Sequence, residues 1–253
     1  MNLKVYIIFL SLIFLSWLAP DECYKVPDYC GEIMQYNVSY GILNIGRATI
    51  SFTDDSLGHG HRIKAEAKSI GIARFFKSIN YCFECCMDTI TGLPINANMS
   101  LADRRCLIYN ETVFDHHSRE DSSIVHSQIS GIHIVPKNIY DLLTAYFCFR
   151  KNYIPLCVKS GQDAVIKIYI ADILWDLRIR YDGKETINTE FGKIECLKYI
   201  PSTVAGNFFK NEDDMTIWFT DDTHHIPVRL RLNLIVGSIT GDLVEYQKPI
   251  TGR

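Results

Sequence analysis

The chain lacks most of the signatures that announce an enzyme. Its 253 residues contain no G-x-S-x-G elbow, no H-E-x-x-H, no P-loop and no G-x-G-x-x-G opening a helix. The common motif-borne hydrolase, metalloprotease and nucleotide chemistries are therefore unsupported. It also lacks an excess of one charge: 26 Lys and Arg stand against 29 Asp and Glu, a formal net charge of -3. That balance leaves no basic footprint for nucleic acid. No long single-sign run suggests a disordered tail. No internal repeat and no Pro/Gly-rich linker divides the chain, so residues 21–253 read as one domain, with 47% hydrophobic residues to build its core.

What is present begins with the N-terminus, MNLKVYIIFLSLIFLSWLAP. Lys4 forms a short basic region, and Val5 to Leu18 is a 14-residue apolar run broken only by Ser11 and Ser16. This is short of the ~20 residues a spanning helix needs, and no stop-transfer pattern follows. Residues 1–20 read as a secretory signal peptide, with an uncleaved membrane anchor as the competing reading. Pro, Asp and Glu before Cys23 argue against lipidation of that cysteine. The mature protein is expected to be periplasmic or secreted.

Nine cysteines then matter, because an exported protein meets oxidising conditions. The odd number leaves at least one thiol outside any intrachain pair. Cys23 with Cys30, and Cys148 with Cys157, are close enough in sequence to be disulfide candidates; the competing reading is buried small hydrophobes. Cys82-x-x-Cys85 has zinc or redox spacing, but no second C-x-x-C exists and the surrounding INYCFECCMDTIT reads as strand. There Cys82 and Cys86 share a face with Glu84, while Cys85 faces the other way with Phe83 and Met87. Packing is the favoured role, a disulfide the alternative.

The dominant pattern is alternation of period two, the mark of half-buried strands. Tyr36, Val38 and Tyr40 share a face in QYNVSY, as do Ala48, Ile50 and Phe52 in RATISF. Between them Gly41, Asn44 and Gly46 suit a reversal. Ile63, Ala65 and Ala67 alternate with charged residues in a third strand. Further strands are expected around Tyr81–Thr89, Asn96–Ala102, Cys106–Phe114 and Ser123–Gln128. The period then changes: Ile139, Leu142, Leu143, Tyr146 and Phe147 follow helical spacing. A helix is expected over about 138–151, with Asn138 as N-cap, Asp141 in the first turn, and Arg150 and Lys151 in the last. Strands resume with Trp175, Leu177, Ile179 and Tyr181 on one face, followed by an Asp-Gly hairpin signal at Asp182. About ten strands with one central helix predict an all-β, mainly antiparallel fold, a barrel or strongly curved sheet packed on that helix.

Polar clusters fall between these elements. TIWFTDDTHHIPVRL reads as two amphipathic strands joined by a turn at Asp221–His225, since extended neighbours His224 and His225 point apart and cannot readily share a metal. His59–His61 and Asp115–Asp121 read as solvated turns, and VGSITGD as a Gly-Ser turn. The Asp54–Asp55, Asp213–Asp214 and Asp221–Asp222 doublets sit at turns. No catalytic pair, metal site or cofactor is expected.

Four segments carry a resemblance: GEIMQYNVSYGILNIGRATISF, VPKNIYDLLTAYFCFR, RYDGKETINTEFGKIECLKYIP and MTIWFTDDTHHIPVRLRLNLIVGSITGDLVEY. From about Gly31 to Tyr246 the chain resembles the DUF3108 family of exported bacterial proteins, of the Bacteroidetes type. Tyr40-Gly41 with Gly46, the Asp141 helix, FGKIECLK and the Trp218–Arg229 hairpin are the similar features. The resemblance implies a β-rich, barrel-like envelope protein without an established activity, and it transfers no catalytic residue. Two functions are expected of such a chain. One is a non-enzymatic carrier of an apolar ligand, a lipid or lipid-linked glycan, with Trp175, Tyr181, Trp218 and Phe219 lining its cavity. The other is an interaction module for an envelope protein partner.

Overall fold

Period-two alternation is realised in fourteen strands, more than the ten or so the pattern suggests. The computed structural model describes residues 29–249, apart from 55–59, 72, 77, 105, 161 and 203–210. The signal-peptide segment and Cys23 lie outside the described residues. The strands are β1 (Ile33–Tyr40), β2 (Leu43–Asp54), β3 (His61–Ser69), β4 (Asn80–Met87), β5 (Pro94–Ala102), β6 (Leu107–Asp115), β7 (Ser122–Ser127), β8 (Gly131–Pro136), β9 (Ala164–Ile170), β10 (Ile173–Thr189), β11 (Gly192–Pro201), β12 (Met215–Thr220), β13 (Pro227–Asn233) and β14 (Ser238–Gln247). Most of the segment read as a Gly-Ser turn opens β14, with Val236 and Gly237 in the turn itself.

Every neighbouring pair is antiparallel, and β1 pairs with β14 to bend the meander round on itself. The sheet therefore begins and ends at β8 and β9. Those two edges meet through Tyr140, just beyond β8, which forms a parallel bridge to Ile168. The Tyr169 amide donates to the Tyr140 carbonyl at 2.8 Å. Below this seam Phe114, Val125, Val135, Ile139 and Tyr169 pack together, and the Asn110 amide donates to Asp172 at 3.3 Å. The result is a nearly closed barrel, as the alternation led one to expect.

The helix fills it. A four-residue α1 (Ala73–Phe76) joins β3 to β4, whereas the central helix comprises α2 (Leu142–Cys148), a π-helical turn (Phe149–Tyr153) and α3 (Ile154–Ser160). Its N-cap is Asp141 rather than Asn138, which instead holds φ +57° ahead of the helix. The Asp141 carboxylate accepts from the Thr144 and Leu143 amides, and Thr144 Oγ1 accepts in turn from the Asp141 amide, a capping box. The helix also runs past the expected stop near Lys151. Pro155 has no N–H for an i−4 carbonyl. The widened turn before it, in which the Ile154 amide donates to Phe149, absorbs the change of register.

Both sides of the helix are buried. Ala145, Phe149, Ile154 and Cys157 pack on Ile166, Ile168, Leu197, Tyr199 and Phe219. Leu143 and Phe147 pack on Phe52, Ile63 and Cys85. At Asp182-Gly183 there is no hairpin: β10 continues to Thr189, and its pairing with β11 shifts between Tyr181 and Lys184. Gly183 at φ +88° supplies the bulge. No helix among the described residues is long and apolar enough to cross a membrane.

Candidate functional site: an apolar cavity beside a buried ion pair

Helical phase points Arg150 into the barrel, where it is fully buried, rather than out at a helix end. It meets Glu32, equally buried, through paired bonds of 2.7 and 3.0 Å. The guanidinium also donates to the carbonyls of His225 (3.1 Å) and His224 (2.9 Å). Tyr29 stacks over it, with the ring centre 4.4 Å from Arg150 Cζ. The Tyr246 hydroxyl donates to Glu32 at 3.1 Å. Burial opposes the guanidinium's charge, but Tyr146 and Glu32 outweigh it and raise its pKa. Burial likewise pushes the Tyr36, Tyr146 and Tyr246 phenols upward, so this centre holds one ion pair among neutral hydroxyls. With four hydrogen bonds from the guanidinium, it is a clasp joining the helix, the start of β1 and the β12–β13 turn.

The turn of adjacent Asp and His residues is thereby explained. Asp222 accepts from the His224 and His225 amides at 2.8 and 3.0 Å, folding the turn. His225, at φ +47°, tucks its ring inward and is buried, while His224 is only half-buried. Burial lowers the His225 pKa. These residues offer their backbone to Arg150 and no ligand set to a metal.

Other polar readings change in part. His116, expected in a solvated turn, is buried, with Nδ1 2.9 Å from Ser123 Oγ and Nε2 3.1 Å from the Pro94 carbonyl oxygen. Burial lowers its pKa too. His61 opens β3 and pairs with Asp54 at 3.1 Å, whereas His59 lies outside the described residues. Among the described residues no three His, Cys, Asp or Glu side chains gather to hold a metal.

The expected Cys148–Cys157 bridge does not form. Both thiols lie on one continuous helix, nine positions apart, and a rise of ~1.5 Å per residue keeps them far beyond bridging distance. For Cys30, the proposed partner Cys23 is outside the described residues. Cys85 packs inside against Leu143 and Phe147, while Cys82 and Cys86 take the other face of β4, as the alternation indicated.

Beyond Tyr146, toward the β1–β2 and β13–β14 turns, the barrel is not filled. A cavity of about 340 Å³ remains between Tyr36, Val38, Ile50, Tyr146, Leu230 and Ile239. Apart from Arg229 its lining is apolar, with Ala48 and Gly241 supplying the room. The four aromatics singled out in the sequence are elsewhere. Trp175, Tyr181 and Phe219 pack against the helix side of the core. Trp218 faces away from Phe219, packs with Ile187, Cys196 and Val228, and donates to Glu185 at 3.1 Å. The shared face of Tyr36 with Val38, and of Ala48 with Ile50, was the sequence signal for this cavity. Nothing in the sequence linked Glu32 to Arg150, 118 positions away.

The beta-barrel-like protein of the domain of unknown function DUF1849 from Brucella abortus is similar over 89% of this chain and 100% of its own, with a TM-score of 0.60 and 10% identity. That likeness concerns the fold alone. A hypothetical protein from Chlamydia trachomatis aligns over 88% of this chain and 93% of its own, with a TM-score of 0.36 and 9% identity. No curated protein matches the sequence. The model of a family described as a protein of unknown function, DUF3108, matches residues 35–244, and the chain belongs to that family.

Proposed function

We propose that this protein is an exported, non-enzymatic component of the cell envelope that holds an apolar ligand, a lipid or the tail of a lipid-linked glycan, inside its barrel. The observation that carries the reading is the apolar cavity of about 340 Å³ beside Tyr146. Ligand cavities typically span ~300–1,000 Å³, with apolar walls and few polar groups. The N-terminal apolar run supports export. The absence of motif-borne chemistry, together with an ion pair buried in structural hydrogen bonds to Glu32 and the His224 and His225 carbonyls, supports a binding role.

The test uses purified mature protein and palmitate as probe, with occupancy read by native mass spectrometry. Wild type should take up one palmitate that leaves on denaturation. Ala48→Phe and Gly241→Leu, which fill the cavity, should reduce uptake at least roughly tenfold, the loss of ~1.4 kcal/mol or more. Uptake unchanged in both folded variants would place the ligand elsewhere and sink the reading. A second reading, an envelope interaction module, is favoured by edge strand β8, whose outward Ile132 and Ile134 are exposed beside an unpaired backbone edge.

A further inference from the structure

The sheet order sorts the connections by end. Because the chain runs through adjacent antiparallel strands, the β1–β2, β3–β4, β5–β6, β7–β8, β9–β10, β11–β12 and β13–β14 turns all lie at one end of the barrel. The helix entry, the β4–β5 turn and the β12–β13 turn lie at the other. Large exposed apolar residues occur at both ends, but they cluster on adjoining turn tips only at the first. Ile42 (99% exposed), Leu43, Leu107, Ile129, Ile235 and Val236 (73%) stand at the first end; Ile90 and Phe191 stand at turns of the second, with Leu156 and Val165 where the helix leads into β9.

Two of these turns form a single projection. Since β1 pairs with β14, the tip carrying Ile42 and Leu43 lies beside the tip carrying Ile235 and Val236. The Gly41 amide donates to Ser238 at 3.2 Å, and the Tyr40 hydroxyl donates to the Val236 carbonyl at 2.9 Å. Val38, Leu232 and Ile239, which line the apolar cavity, are next to these tips along their strands. Aliphatics more than half exposed on a cross-bonded tip have little internal packing to explain them.

Basic residues flank the projection. Arg47 and Lys68 face each other across β2 and β3. Arg74 of α1 and Arg104 of the β5–β6 turn are joined, since Arg104 donates to the Arg74 carbonyl at 2.6 Å. All four are exposed. Three carboxylates at this end are engaged locally: Asp103 accepts from the Cys106 amide, Asp172 from Asn110, and Asp213 from Arg180, while Glu212 beside Asp213 is a further exposed carboxylate. Lys68 shares Glu66 with Lys64.

We propose that this end docks on an anionic phospholipid surface. Ile42, Leu43, Ile235 and Val236 enter the acyl boundary, and Arg47, Lys68, Arg74 and Arg104 meet the phosphates. Aliphatic insertion and basic attraction together give a peripheral contact, in which each cation near the surface adds to binding and salt weakens it. Docking in this orientation sets the cavity's inner wall against the bilayer. The proposal goes beyond the ligand reading and does not depend on it.

Flotation of the mature chain with phosphatidylcholine vesicles, with and without phosphatidylglycerol, tests it. The protein should float with the anionic vesicles and be released by raised salt. Ile42→Asp/Val236→Asp, at solvent-exposed turn positions, should lower the floated fraction roughly tenfold or more while the circular dichroism melt is kept. Ile90→Asp, at the opposite end, should float as wild type. Ala48→Phe should float as wild type whether or not it takes up palmitate, so failure of the ligand reading leaves this test intact. Wild type remaining with the soluble fraction, a tip variant that floats normally, or equal flotation on neutral vesicles would each overturn the proposal.

Discussion

Single residues here owe their roles to burial more than to type. His116 and His225 are turn histidines by sequence, yet both are buried and both have pKa values lowered by that burial from an ordinary 6.5. The unfolded chain therefore binds protons that the native state refuses. Their neutral-state stability is complete above about pH 6.5 and is lost as pH falls toward their depressed values. Thermal melts from pH 7 to pH 5 should show a declining midpoint for wild type. His116→Gln/His225→Asn, with Asn chosen for the left-handed backbone at φ +47°, should show a flatter profile. An equal slope in both proteins would mean that other groups set the dependence. The turn around Asp115 acts lower still. Hydrogen bonds from Ser118 and His117 hold that carboxyl at about 2, so its contribution is present above the ordinary 3.8 and disappears only as pH falls toward 2.

At the scale of elements, the central helix shows how local chemistry overrides a simple periodic pattern. Its start depends on Asp141, buried and bonded to the Thr144 and Leu143 amides. Burial raises the Asp141 pKa against the lowering effect of those bonds, so the ionised cap carries a desolvation cost. Asp141→Ala should cost about 1–2 kcal/mol in urea unfolding, the usual loss for an N-cap. Asp141→Asn keeps an accepting oxygen without the charge and should stay near wild type. An Ala variant as stable as wild type would show that the cap is dispensable. The basic pair Arg150 and Lys151 suggested a last turn, yet the helix extends to Ser160, with a π turn ahead of Pro155 absorbing its missing N–H. Gly183 misled in the opposite direction: Asp-Gly is a strong hairpin signal, but one positive-φ glycine serves a bulge equally well.

For the whole molecule, one clasp ties together three distant parts. Arg150 and Glu32 join the helix and β1, and the His224 and His225 carbonyls bring in the β12–β13 turn. Removing one partner strands the other charge in the core, which typically costs about 3–5 kcal/mol. Arg150→Met and Glu32→Leu should each lose about that much in equilibrium unfolding. The double variant should recover much of it, because two apolar side chains leave no charge unpaired. A double variant no better than the sum of the singles would mean that the carbonyl contacts dominate over the ion pair.

The sequence by itself determined the strand class, the existence of the helix, the faces of β1, β2 and β4, and the family resemblance later matched over residues 35–244. The first three follow from local periodicity, which any window of the chain displays, and the resemblance from the residues of the four segments that carry it. Only the tertiary structure decided that β1 meets β14, that Tyr140 closes the seam, that Arg150 lies inside against Glu32, and that Tyr36 and Ile50 border a void while Phe219 fills a core. Alternation tells which side chains turn inward. Whether the inward space is filled depends on helix position, strand closure and the volumes facing one another across the barrel, which are sums over residues far apart in the chain.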